Sequence, residues 1–382
     1  MVIKTLTGNE VLQMIKNKWE DRIGVAVIFL AIMKYYGVFF GFSNLSKYFM
    51  IISLLLATVL VIRNIKKYSL IHYGVFAIFA VQFVLSRNIT AIYTYYLCLA
   101  LYNVNFKVIV KWFMIINAIL FSIYLCMNLV GIHPTEYLEG RNDFGFGNPN
   151  TAFISMFLVW ISYFYSIYNK KNKLDYILLF SFIFLMYTQT TTRTGLLTAI
   201  MTIITFFILE KMNLEKKWVR VFISGFPIFM TTLSLVFATV LSNSYFINKV
   251  LSHRPLYWHS YVMHPSKGIN LFGYTSNIRD ILFTQRMPLD SGYIWTLYSS
   301  GLVVYTVLIL MMTYTLYRLC VEKKKAEILL IVSLLIYCFA ESIMLDLATN
   351  VGLILIVSGV SNLNLKRFKK TADNKKLREI RS

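Results

Sequence analysis

A chain of 382 residues that is 58% hydrophobic and only 14% charged is not built like a soluble domain, which carries roughly 25% charged residues. Its mean hydropathy of +0.63 comes from recurring apolar runs of about 17–25 residues, which predict a multi-span helical membrane protein and lack the alternation of a β-barrel. The net charge of +21 sits in short clusters between the runs, a pattern that reports topology and not a nucleic-acid footprint.

The expected fold is all-α: a single polytopic membrane domain over residues 1–382 with about twelve spans. Residues 1–22 read as a cytoplasmic amphipathic segment, because Val11, Leu12, Ile15 and Trp19 recur at helical spacing with Lys16 and Lys18 between them. The same stretch is too charged for the apolar region of a cleavable signal peptide. Spans then follow over 23–42, 46–62, 69–86, 89–104, 108–131, 150–168, 174–189, 193–210, 218–241, 292–318, 326–345 and 346–362. Cys98, Cys126, Cys320 and Cys338 fall in or at the ends of spans without metal-ligand spacing and read as packing residues. No internal repeat relates two halves.

Orientation follows from lysine and arginine. With the N-terminus inside, every inner connection is basic: Arg22, then Arg63, Lys66 and Lys67, then Lys107 and Lys111, then Lys170, Lys171 and Lys173, then Lys211, Lys216, Lys217 and Arg220, then Arg318 with Lys323 to Lys325. Both termini are therefore expected in the cytoplasm of a cell-membrane protein. The basic tail, residues 364–382, serves as a topology anchor that also favours anionic headgroups.

Two outer segments are sizeable, 132–149 and 242–291. The second is the one long polar stretch between apolar runs and the expected catalytic loop; it holds His253, Arg254, Tyr257, Trp258, His259, His264, Lys267, Arg279, Asp280, Arg286 and Asp290. Three helix starts face outward and are marked in sequence: Asn148-Pro149 as cap and first turn, Thr192-Arg193-Thr194-Gly195, and Asp290-Ser291-Gly292. Helix N-termini carry partial positive charge, so their convergence makes an anion pocket, and Arg141, Arg193 and Arg254 add bidentate donors suited to phosphate oxygens.

Each group also has a plainer reading. Arg193 can snorkel to the interface, Arg141 can solubilise a loop, and Arg254 can belong to a solvated face. Asn148, Tyr257, Trp258 and Glu341 are candidate sugar ligands, yet outer aromatics also form interfacial belts, and Glu341 and Asp346 can be plain interface residues. Asp290 is either a helix cap or a base. His253, His259 and His264 lack a zinc spacing. Lys34, near the middle of its span, is costly unless paired or facing a wet cavity.

These residues resemble a known family. Arg193-Thr194-Gly195-Leu196-Leu197 is similar to the Arg-x3-Leu motif of bacterial O-antigen ligases and the related Wzy-type polysaccharide polymerases. The run from Asp290 to Gly301 resembles the ligases' His-x10-Gly motif with Asp in the His position, which favours a polymerase. Arg254-Pro255-Leu256-Tyr257-Trp258 resembles the Arg-x3-Trp of the large outer loop, and Gly145 to Asn150 the Gly/Asn-rich start of a central polymerase span. The resemblance implies a GT-C-like membrane fold and an inverting, metal-independent glycosyl transfer that uses no cofactor. Its donor is a glycan on undecaprenyl diphosphate, transferred onto a lipid-linked repeat unit for a capsule or O-antigen. The implied roles are Asp290 as base and Arg141, Arg193 and Arg254 at the diphosphate. Expected partners are the lipid-linked repeat units, the bilayer, a flippase and a chain-length regulator, with no nucleic acid. The competing readings are a polysaccharide ligase, a lipid-linked-glycan flippase or transporter, and a membrane structural partner without chemistry.

Overall fold

A computed structural model describes residues 8–138, 140–170, 172–278, 282 and 287–360, with no side-chain description for 8–17 and 138. The basic tail 364–382 and Arg279, Asp280 and Arg286 of the polar stretch lie outside the described residues. The chain is an all-α polytopic membrane protein. Its helices are α1 (Gly8–Phe39), α2 (Ser43–Asn64), α3 (Leu70–Ser86), α4 (Thr90–Ala100), α5 (Phe106–Leu129), α6 (Pro149–Ile167), α7 (Lys173–Thr190), α8 (Arg193–Lys211), α9 (Lys217–Ser224), α10 (Phe226–Thr239), α11 (Tyr245–Val250), α12 (Arg254–Val262), α13 (Gly292–Val321), α14 (Lys325–Tyr337) and α15 (Gly352–Val360). A two-residue hairpin, β1 (Tyr137–Leu138) with β2 (Arg141–Asn142), interrupts the chain before α6.

Six helices among the described residues are long and apolar enough to cross a membrane: Lys18–Phe39 within α1, Ser43–Lys67, α5, α6, α8 and α13; α9 and α10, bent by 42°, make a seventh if taken as one span. The bend falls at Gly225-Phe226-Pro227, where proline removes a backbone donor. The expected twelve positions all carry helix, but several are short: α3 has 17 residues, α4 has 11, α14 has 13 and α15 has 9. Burial separates centre from rim. In α6 72% of the spanning window is buried and in α13 67%, against 17% in α2, so α6 and α13 are the axis and α2 faces outward.

Three boundaries differ from expectation. The amphipathic N-terminus does not end before the first span; α1 runs through both, and buried Glu20 ties it to Arg63 of α2 at 3.0 Å with Trp19 stacked on the same guanidinium. The expected spans 326–345 and 346–362 are not continuous helices. Residues 338–351 between α14 and α15 are irregular and nearly all buried. Non-helical backbone inside a membrane protein needs internal partners, and it has them: Gly292 N–H donates to Cys338 O (2.7 Å), Thr94 Oγ1 to Leu345 O (3.1 Å) and Asn350 Nδ2 to Met344 O (3.2 Å).

The segment 242–291 is likewise not a plain loop. Beyond α11 and α12, its residues 270–274 tuck against a break in α13 at Gly301, whose φ is +82°. There Leu302 N–H donates to Asn270 O at 2.9 Å, Val303 N–H to Leu271 O at 3.1 Å and Tyr274 N–H to Ser299 O at 3.0 Å. Asn88 Nδ2 donates to both Tyr274 O and Ser299 O, at 3.1 and 3.2 Å. A Cβ on Gly301 would overlap Gly273 N. At 1.5 Å per residue the break lies about 14 Å along α13 from its start, so the segment reaches well into the helical body.

Candidate functional site

Four helix ends and the irregular segment meet at one place. Phe153, near the start of α6, packs on Gly195, near the start of α8, so closely that no Cβ fits there. The Phe153 ring also meets Tyr337 at the end of α14, at 6.3 Å between centroids. Gly292, first residue of α13, is bonded to Cys338 just beyond α14. The expected convergence of the α6, α8 and α13 N-termini is thus present in the packing.

Arg254 occupies the centre. Ser252 and His253 both adopt the left-handed backbone, φ +52° and +60°, an arrangement that non-glycine residues hold only at a cost. The chain turns sharply there and α12 starts at Arg254 with Pro255 in its first turn. Arg254 is 8% exposed. Its Nη1 donates to Ala340 O at 2.9 Å, and its Nη2 lies 3.4 Å from Glu341 Oε1 and 3.5 Å from Asp290 Oδ2. One cation stands between two carboxylates.

The two carboxylates differ. Asp290 is about one-third exposed and is not the cap of α13; the Ser291 side chain accepts from Ile294 N–H instead, which leaves Asp290 free to face Arg254. Glu341 is 6% exposed and stands in the irregular segment, outside every membrane-crossing helix. Burial pushes its carboxyl up to about 8, against the pull of Arg254 and with a push from Asp290.

Beside this cluster lies a cavity of about 630 Å³ between α8, α10, α11, α12 and the end of α14. Its walls are Leu197, Met201, Phe229, Leu233, Phe246 and Phe339, and Arg254 is its charged member. The shape and lining suit a long apolar tail with an anionic head near Arg254. Thr194 lines the same cavity, which sets the exposed Arg193 one residue from its wall.

The other sequence candidates separate. Trp258 lines the cavity but is wholly buried, edge-on to Phe339 at 5.5 Å, so it offers no face for a sugar in solvent. Tyr257 is half-buried on the same helix. Asn148 caps α6, accepting from Asn150 N–H at 2.8 Å. Arg141 is half-buried on β2, which packs on α7. His259 Nδ1 is 2.9 Å from Ala238 O and His264 Nδ1 accepts from Lys267 N–H, so both serve the local fold. No three His, Cys, Asp or Glu side chains among the described residues gather as metal ligands do.

Sequence reasoning passed over Asp143, which is fully buried and accepts N–H groups from Glu136 (2.9 Å), Gly145 (2.8 Å) and Gly147 (2.9 Å). It shapes the loop that leads into α6. The Asp-Phe-Gly-Phe-Gly spelling is the available signal, since Asp followed by glycines marks a side-chain-closed turn. Arg254's carbonyl partner, Ala340, had no signal in sequence. No protein-family model, curated protein or solved structure matches this chain.

Proposed function

We propose that the protein is a Wzy-type polysaccharide polymerase. It transfers a growing glycan from undecaprenyl diphosphate onto a lipid-linked repeat unit at the outer face of a cell membrane, with both termini in the cytoplasm. One observation carries the reading: a charged guanidinium heads an apolar cavity of about 630 Å³, with a partly exposed carboxylate 3.5 Å away. The polyprenyl tail lies in the cavity and the diphosphate approaches Arg254 and the α8 N-terminus at Arg193. In the transfer, an acceptor hydroxyl oxygen attacks the anomeric carbon from the face opposite the diphosphate. Asp290 takes the hydroxyl proton, the sugar–phosphate bond breaks, and undecaprenyl diphosphate leaves with the electron pair. Arg254 is engaged with Glu341 and Asp290 beforehand, so donor binding requires the guanidinium to exchange a carboxylate for phosphate oxygens. Protonation of Glu341 eases that exchange. A ligase would use the same donor half with a different acceptor.

A second reading is a lipid-linked-glycan transporter. What favours it is the break in α13 at Gly301 and the irregular segment 338–351, since transporters build binding sites from discontinuous helices. Purified protein in vesicles with undecaprenyl-diphosphate repeat units separates the two. A ladder of glycan lengths supports polymerisation. Movement of unextended repeat units across the bilayer without a ladder supports transport.

A further inference from the structure

Arg254 reaches its two carboxylates because the chain turns sharply between α11 and α12, and the residues of that turn do not hold it by themselves. Ser252 and His253 sit in the left-handed backbone, which non-glycine residues adopt only at a cost. Among the described residues His253, at the cap position of α12, makes no side-chain cap bond. The holding group is Asn248 of α11, which is 6% exposed. Its Oδ1 accepts the N–H of Leu256, eight residues on, at 3.3 Å. Leu256 lies in the first turn of α12, where helix N–H groups lack an intrahelical partner. Its Nδ2 donates to Ser242 O, just beyond α10, at 2.5 Å, and its backbone carbonyl accepts His253 N–H at 2.8 Å. One side chain therefore ties the end of α10, α11 and the start of α12 together. The task needs a donor and an acceptor on one short planar group: an aspartate has no donor for Ser242 O, and a leucine has neither. Ile247, Val250 and Leu251 of the same short helix line the apolar cavity, so α11 is at once a wall of the cavity and the support for its guanidinium.

We infer that Asn248 is the positioning residue that makes this cavity selective for a phosphorylated lipid head. The apolar walls bury a polyprenyl tail equally well whatever head it carries, so discrimination between heads falls to Arg254, the charged member of the lining. A charge-assisted bond to phosphate weakens steeply with distance and angle. The guanidinium must therefore be fixed at the cavity edge, and Asn248 fixes it by bonding to the first turn of the helix that Arg254 begins. A polyprenyl diphosphate is then taken in preference to the uncharged polyprenyl alcohol. This role rests on the cavity holding the lipid tail of the proposed donor; it does not require that glycosyl transfer follows.

The test uses the purified full chain in detergent and two probes with the same tail, undecaprenyl diphosphate and undecaprenol, with affinities read by microscale thermophoresis. The wild type is expected to prefer the diphosphate by about tenfold or more, the scale of one hydrogen bond to a charged group. In Asn248→Ala the diphosphate affinity should fall by about tenfold or more, while the undecaprenol affinity stays within about twofold. A residue that only supports the fold would weaken both lipids together. Melting temperature without lipid checks the fold. Where Asn248→Ala melts early, Asn248→Ser, which keeps a polar group on a shorter side chain, takes its place with the same expected direction. A preference undiminished in the folded variant, or an equal loss for both lipids, overturns the inference and leaves the polymerase reading standing. A wild type with no preference overturns the inference together with the donor assignment of the cavity. A preference that depends on Asn248 in a protein that extends no chain sinks the polymerase reading and leaves Asn248 in its role.

Discussion

Arg254 and Glu341, 87 residues apart in sequence, meet with Nη2 3.4 Å from Oε1. Each is less than a tenth exposed. The contact helps pin the start of α12 to the irregular segment after α14, alongside the Arg254 Nη1–Ala340 O hydrogen bond and the packing of Trp258 on Phe339. Removing the guanidinium loses its hydrogen bonds to Ala340 O and Glu341 Oε1 and leaves those buried acceptors unsatisfied, at a cost of about 1–3 kcal/mol each. Arg254→Met is therefore expected to lower the melting temperature and to abolish chain growth while single repeat units still reach the surface. The double variant Arg254→Met/Glu341→Gln recovers stability and not activity. Normal-length polymer from Arg254→Met removes the guanidinium from the mechanism.

Glu341 makes stability depend on pH with a definite sign. Its carboxyl is raised to about 8 from an ordinary value of 4.5, so the fold favours the protonated form. The contribution is complete below pH 4.5 and is lost as pH rises through about 8. Melting temperature in detergent should fall between pH 5 and 9 in the wild type. Glu341→Gln should flatten that slope. Parallel curves for the two proteins contradict the assignment.

Gly301 holds φ +82° with Gly273 packed against its α-carbon. An alanine there is both conformationally strained and in collision with backbone, a combination that costs several kcal/mol at a site that cannot relax. Gly301→Ala should release residues 270–274 from α13, seen as new protease cleavage in 268–278. An unchanged digestion pattern means that the two strands of chain are not locked together.

The bulk of the fold was legible because apolar runs and basic connections report the solvent directly. Helix is present within each expected span, but only six helices among the described residues, or seven with the bent pair, are long and apolar enough to cross a membrane, and 338–351 is not helical. What the sequence concealed is local. The apolar stretch from Ala326 to Val360 reads as two crossed spans, since hydropathy does not register that side chains such as Thr94 and Asn350 supply partners to non-helical backbone. Arg254 and Asp290 were singled out by residue type and position, but their 3.5 Å pairing depends on the turn at Ser252-His253, whose left-handed backbone no residue there announces. Trp258 was expected to face a sugar, because an aromatic in a polar stretch reads the same whether its ring points outward or into a cavity wall.

Asp290 is tested separately from the arginine. Asp290→Asn keeps the size of the side chain and, being one-third exposed, should leave stability within about 1 kcal/mol of wild type. Donor binding should persist while turnover falls by about 100-fold or more, the contribution of a general base. Full turnover by the variant excludes Asp290 as the base.

The measurement that bears most directly on the central claim is reconstitution of the purified full chain in vesicles with undecaprenyl-diphosphate repeat units, resolved by glycan length. A ladder that disappears with Arg254→Met and with Asp290→Asn is the predicted result. A wild-type protein that binds the lipid-linked units and never extends them contradicts it.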